Sequence, residues 1–357
     1  MAKLRVLVAD DSETVRKRIV ESLAADPGIE VVGEAEDGQR VIELCLRTSP
    51  DVITMDMMMP IMTGVAATEY IMAHQPTPIL IVSSSFNRGE LFKIYDALAA
   101  GAVDVLEKPT GEEAEGDWEG RLIAAVKLVS RIKVITHPRA RLGLERSRRL
   151  EGAVPDRGRA AVGQLEVAAI GASTGGPGAI VEVLRKLPPS FQVPILIVLH
   201  MNEPFGAAFI DWLDAQINRP VSAAQDGARV ESAKGRVLVA PCGKHLVIRD
   251  RTAFLTLGPE RHSCRPSVDT LFESIAPEYG PAAAACLLTG MGKDGALGLL
   301  RIREAGGITI AQDEASSVVY GMPREAVLLG AALQILPIGE IGPRLAALQT
   351  ARMEALA

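Results

Sequence analysis

A chain of 357 residues exceeds one average domain, and 48% hydrophobic with 23% charged residues is the make-up of an ordinary water-soluble globular protein. A net charge of −6 argues against a nucleic-acid partner, and no apolar run approaches the ~18–20 residues of a membrane span. The N-terminal MAKLRVLVADDSE turns acidic too early for a signal peptide, and Cys45, Cys242, Cys264 and Cys286 lack C-x-x-C spacing, so a cytoplasmic protein with buried or incidental thiols is expected.

In chain order, LRVLVA (4–9), VVGEA (31–35), DVITM (51–55), PILIVS (78–83) and AVDVLE (102–107) read as strands. Segments of helical periodicity such as VRKRIVESLAA separate them. Near-continuous β-branched runs are the mark of buried parallel strands, so residues 1–133 predict a doubly wound open sheet. Residues 134–164 lose this pattern, are rich in arginine and read as a linker. From 165 to 357 the α/β alternation resumes, with strands expected at EVAAI, PILIVLH, RVLVA, HLVIR, AFLTL, ACLLTG and ITIA. The cluster 236–257 reads as consecutive short strands, a hairpin insertion beside a mostly parallel sheet. The fold class is therefore α/β with two doubly wound, mostly parallel-sheet domains.

Asp10 and Asp11 follow the first strand and Asp56 the third. The carboxyl ends of parallel strands share one edge, so three carboxylates converge there. Left alone they would raise one another's pKa values; a hard divalent cation such as Mg²⁺ resolves the repulsion. Ser83 ends the fourth strand and Lys108 follows the fifth, supplying the hydroxyl and ammonium that a phosphoryl group on a carboxylate needs. A helix N-cap role explains Asp11 alone but not the set.

VLVADDS, DVITMDMMMP, ILIVSSS and DVLEKP together resemble the receiver domain of response regulators. The resemblance implies a flavodoxin-like fold, phosphorylation of Asp56 by a histidine kinase, Mg²⁺ held by Asp10, Asp11 and Asp56, and coupling through Ser83 and Lys108. Two positions depart from the pattern. Val105 stands where the switch aromatic is usual, and Met58 stands where a polar residue is usual, two after Asp56.

The stretch VAAIGASTGGPGAI (167–180) breaks from a strand into a small-residue loop. It lacks both G-x-G-x-x-G spacing and a phosphate-loop lysine, so it fits a nucleotide cradle poorly. It does hold Gly171-x-Ser173-x-Gly175, a pattern that lets a serine sit on a sharp strand-to-helix turn. Two more strands lead to useful residues, PILIVLH to His200 and ACLLTGMGKD to Asp294. With parallel strands the three converge as nucleophile, general base and orienting acid. Asp294 also reads as a cap for a helix starting near Gly295, and His262 is a rival base. Backbone N–H groups near Thr174 or Met291 are candidates for an oxyanion site. His74, His137 and His245 read as solvated or structural.

GASTGGP, LIVLHM, RPSVD, TGMGKDG and YGMP, in this order behind a receiver, closely resemble the chemotaxis protein-glutamate methylesterase (CheB) family. The resemblance implies a Rossmann-like C-terminal methylesterase domain without a cofactor of its own. Its substrates would be glutamyl γ-methyl esters on the cytoplasmic helices of methyl-accepting chemoreceptors, cut to glutamate and methanol; many members also deamidate receptor glutamine. It further implies Ser173, His200 and Asp294 as catalytic residues, with Thr174 and Met291 at oxyanion and substrate contacts. The phosphodonor would be a kinase of the CheA type, the receiver would pack over the esterase cleft until Asp56 is phosphorylated, and the output would be sensory adaptation. Neither nucleic-acid binding nor membrane insertion is expected.

Overall fold

The computed structural model describes residues 3–84, 88–109, 116–132, 134, 165–201 and 205–354. The chain divides into two compact units, Met1–Gly143 and Leu144–Ala357. The division falls within the stretch read as a linker, 134–164, which apart from residue 134 lies outside the described residues, as does His137.

In the first unit, β1 (Leu4–Ala9), α1 (Glu13–Ala24), β2 (Ile29–Ala35), α2 (Gly38–Thr48), β3 (Val52–Met55), α3 (Gly64–His74), β4 (Ile79–Ser83), α4 (Arg88–Ala100), β5 (Asp104–Glu107) and α5 (Asp117–Val129) alternate strictly. The five strands pair in parallel in the order β2-β1-β3-β4-β5, the flavodoxin-like doubly wound arrangement. Val6, Leu7, Val8, Ile53, Leu80 and Ile81 are fully buried, as helices on both faces require. Each such side chain contributes ~1.5–3 kcal/mol of transfer free energy. Local signals start the helices: Ser12 accepts from Val15 N–H at the head of α1, and Asp37 from Arg40 N–H at the head of α2. Trp118 is fully buried and donates Nε1–H to the Glu107 carbonyl at 2.8 Å, tying α5 to the end of β5.

The second unit runs β6 (Val167–Ala172), α6 (Gly176–Arg185), β7 (Ile195–Leu199), α7 (Phe205–Gln216), β8 (Val221–Ala223), β9 (Val237–Val239), β10 (His245–Arg249), β11 (Thr252–Thr256), α8 (Val268–Tyr279), β12 (Ala283–Leu287), α9 (Ala296–Glu304), β13 (Ile308–Gln312), α10 (Met322–Leu328), β14 (Gln334–Leu336) and α11 (Ile338–Glu354). Its seven parallel strands are ordered β14-β13-β12-β6-β7-β9-β8. From β6 the chain winds outward through β7, then returns to the other side of β6 through β12. The topological switch point thus lies between β6 and β12, the usual place for a site in a Rossmann-like sheet.

One expectation for this unit needs correction. The run 236–257 is not one insertion: β9 joins the parallel sheet between β7 and β8, and only β10 and β11 form the antiparallel hairpin. The short strands β8 and β14 carry no alternation or apolar run that would have marked them. They exist because a neighbour, β9 or β13, offers an unpaired edge. Gly171 is required for packing, since a Cβ there would fall inside the Val268 side chain at the start of α8.

No helix among the described residues is long and apolar enough to cross a membrane.

Candidate active site and phosphoacceptor corner

In the first unit the carboxyl ends of β1, β3 and β5 meet. Asp10 and Asp56 are buried, Asp11 is exposed, and one oxygen from each lies within 4.8 Å of the others. Lys108 follows β5 and bridges the two buried acids, its Nζ 2.9 Å from Asp10 Oδ2 and 3.0 Å from Asp56 Oδ2. Burial pushes both carboxyls above the ordinary aspartate value despite this ammonium. Burial also opposes the Lys108 charge, but the two carboxylates outweigh it and raise its pKa. One ammonium therefore does not neutralise the corner, and hard oxygen donors at this spacing fit Mg²⁺. Ser83, at the end of β4, is buried, and its Oγ has no hydrogen-bond partner among the described residues. A buried hydroxyl left without a partner calls for an acceptor or donor. Met58 is 41% exposed, and its Sδ lies 2.9 Å from Lys93 Nζ on α4.

In the second unit Ser173 and His200 follow paired strands. Ala172 of β6 is opposite Leu199 of β7, and His200 N–H donates to the Ala172 carbonyl at 3.1 Å. On the other side, Ser173 N–H donates to the Thr289 carbonyl at 3.0 Å, just beyond β12. Gly290 lies against the Ser173 turn so closely that a Cβ there would come 2.8 Å from Ser173 Cβ. Gly175, at φ +76°, closes the turn and leads into α6, so Ser173 and Thr174 stand before a helix N-terminus. Neither Thr174 N–H nor Met291 N–H donates to an acceptor among the described residues.

His200 Nε2–H donates to Asp294 Oδ2 at 2.8 Å, and Asp294 is 2% exposed. Burial works against both charges, yet their mutual hydrogen bond prevails. It holds Asp294 below the ordinary aspartate value. Together with Cys264, Asp294 pushes His200 up to about 9. Asp294 does not cap α9, whose start at Gly295 has no side-chain cap. It sits instead on the N-terminus of α8, accepting from Ser267 Oγ (2.8 Å), Val268 N–H (2.7 Å) and Asp269 N–H (3.1 Å). Four donors thus converge on one carboxylate and favour its anion.

The imidazole orientation is set by Asp294. Because Nε2 serves Asp294, Nδ1 is the nitrogen left to take a proton, and it lies 3.6 Å from Cys264 Sγ. Ser173 Oγ and His200 are not hydrogen-bonded to each other. The rival base His262 is held elsewhere, with Nε2 3.1 Å from Asp269 Oδ2. His245 is structural: Nε2 faces the Pro259 carbonyl and Nδ1 accepts from Ser267 N–H. His74 ends α3 and bonds the Tyr70 carbonyl.

Sequence reasoning missed Ser267, Thr289, Gln312 and Cys264. Thr289 receives Val319 N–H on Oγ1 and donates to the Thr174 carbonyl, while Gln312 Oε1 accepts from Thr289 N–H. Ser267 before an apolar helix was legible as an N-cap, and Gln312 as a strand-end residue; nothing local distinguishes Cys264.

Residues 6–115 match the response regulator receiver domain, and residues 168–345 match the CheB methylesterase domain. The chain is thus a response regulator whose second unit is a hydrolase-class α/β domain. A protein-glutamate methylesterase/protein-glutamine glutaminase from Anaeromyxobacter dehalogenans is 44% identical over 95% of both chains, and one from Nitrosospira multiformis is 41% identical over 98% of both. The catalytic domain of Thermotoga maritima CheB methylesterase is 34% identical, covering 51% of this chain and 98% of its own with a TM-score of 0.49. The chain belongs to the CheB methylesterase family of protein-glutamate methylesterases.

Proposed function

We propose that the protein is a phosphorylation-activated esterase that hydrolyses glutamyl γ-methyl esters on chemoreceptor cytoplasmic helices and so resets a sensory pathway. The observation that carries this reading is the 2.8 Å His200–Asp294 pair beside the strand-end serine. Ser173 Oγ attacks the ester carbonyl carbon while His200 Nδ1 takes the hydroxyl proton. Asp294 stabilises the resulting imidazolium. The oxyanion faces Thr174 N–H, Met291 N–H and the positive end of α6, where each donor is worth ~10²–10³ in rate. Collapse breaks the C–O bond, and His200 returns the proton to the leaving methoxide, which departs as methanol. Water then attacks the acyl-serine with His200 again as base, giving glutamate and free Ser173. A glutamine side chain undergoes the same sequence with ammonia as leaving group, which accords with the double name of the relatives.

Free His200 is protonated below about 9 and lacks its accepting lone pair there. Only the neutral imidazole is a base, so kcat/KM for ester hydrolysis is expected to rise with pH through a midpoint at about 9 and level off above it. A profile flat from mildly acidic pH upward would remove His200 from the base role.

In the receiver, Asp10, Asp11 and Asp56 would hold Mg²⁺, which neutralises phosphate charge during transfer from a histidine kinase. The phosphoryl group on Asp56 lies within reach of Lys108 and gives the orphaned Ser83 hydroxyl an acceptor. The test is methanol release from methylated receptor with Mg²⁺ and a small acyl-phosphate donor. Wild type is expected to speed up on adding the donor, and Asp56→Ala to keep its basal rate without that rise. Equal stimulation of Asp56→Ala would sink the proposed phosphorylation site.

A further inference from the structure

We infer that Cys264 and His200 form a binding site for a thiophilic divalent transition-metal ion, of which Zn²⁺ is the type, directly at the esterase centre. Cys264 Sγ and His200 Nδ1 are 3.6 Å apart. A tetrahedral zinc ion with bonds of ~2.3 Å to sulfur and ~2.0–2.1 Å to nitrogen spans a sulfur–nitrogen edge of about 3.6 Å. The pair therefore has the ligand spacing without rearrangement.

The second requirement is a fixed ring with the correct lone pair outward. His200 Nε2–H is held by buried Asp294 Oδ2 at 2.8 Å, so Nδ1 is the nitrogen that faces the thiol, and its lone pair points there once its proton has left. A carboxylate–histidine–metal relay of this kind both orients the ligand and raises its basicity. Oxygen or nitrogen atoms of His200 and Asp294 and the sulfur of Cys264 all lie within 4.8 Å of one another. Cys264 is placed by a tight turn: Arg261 and Cys264 exchange both backbone hydrogen bonds, with His262 and Ser263 at φ +53° and +59° between them. Its Sγ also contacts the His262 carbonyl at 3.3 Å. Both ligands are partly exposed, so water fills the remaining coordination positions.

Binding releases the Cys264 thiol proton to solvent and, below about 9, the His200 Nδ1 proton as well, and in their place forms an S–Zn and an N–Zn bond. Under the esterase reading that lone pair is the base, so the bound ion stops turnover. Mg²⁺ at the receiver does not compete, because it prefers hard oxygen ligands. Of the other cysteines, Cys45 and Cys286 are buried, and burial raises their thiol pKa values, to about 12 for Cys286.

The consequence for turnover rests on the esterase reading; the binding does not. The full chain, stripped with a chelator and kept in Mg²⁺, is titrated with Co²⁺ and with Zn²⁺. Wild type and Cys242→Ser are expected to show a thiolate-to-cobalt charge-transfer band that Zn²⁺ displaces; Cys264→Ser and Cys264→Ala are expected to lack it. In parallel, Zn²⁺ should inhibit methanol release reversibly, and each Cys264 variant, scored against its own metal-free rate, should need at least about tenfold more Zn²⁺. A missing band in wild type, or equal zinc sensitivity in Cys264→Ser, overturns the site. If no variant releases methanol under any condition, the esterase reading fails while the cobalt band still decides the metal site.

Discussion

Ser173→Ala is expected to lower methanol release by ~10⁶-fold, the size of loss that follows removal of an activated serine nucleophile. The effect should be chemical rather than structural. Ser173 is half-buried, its backbone N–H and carbonyl make the turn's bonds, and those survive in alanine. Thermal unfolding of the variant should therefore stay close to wild type, since substitutions away from buried bonded groups cost within ~0.5 kcal/mol. A serine-directed phosphonate should label wild type and not the variant. Retention of more than about a hundredth of the activity would place the nucleophile elsewhere. Cys264 would then be the next residue to test, because its sulfur, not the Ser173 oxygen, is the group that faces His200 Nδ1.

Asp294→Asn is expected to cut kcat by ~10⁴-fold, as when the carboxylate of such a triad is neutralised. The amide is isosteric, but four donors face the native side chain, from His200, Ser267, Val268 and Asp269. An asparagine oxygen can satisfy those on one side only, and its NH₂ then points at N–H or O–H groups on the other. Unfolding should accordingly become easier by about 1–3 kcal/mol. Lost stability alone would not move a pH profile. Loss of the anion should, because the Asp294 hydrogen bond is the largest influence holding His200 up to about 9. The rising limb of kcat/KM is expected to shift to lower pH in Asp294→Asn. A large fall in kcat with an unmoved limb would make Asp294 purely architectural.

The receiver sheet and most of the second sheet were readable from local pattern. Runs such as LRVLVA, PILIVS and PILIVLH are apolar on both faces, and a strand buried on both faces has no other composition available. Parallel strands put the residues that follow them on one edge, which is why the sequence pattern alone groups Asp10, Asp56 and Lys108 in the first sheet and Ser173 and His200 in the second. Short strands such as β8 and β14 were not readable, because three residues carry no period and are strands only through their neighbours.

The electrostatic partners of the site were beyond the sequence for a related reason. Asp294 looks in sequence like a cap for the helix after it, yet it is captured by the N-terminus of α8, 26 residues upstream of it at Val268. The carboxylate goes where several converging N–H groups stabilise its charge, and that convergence exists only once α8 packs beside β12. The same holds for His200, whose ring is turned by Asp294 from 94 residues away and met by Cys264 from 64. Composition and periodicity determine which residues reach the sheet edge. Which atoms then face one another is decided by loops folded back from distant sequence, where the cost of an unpaired buried charge selects the arrangement.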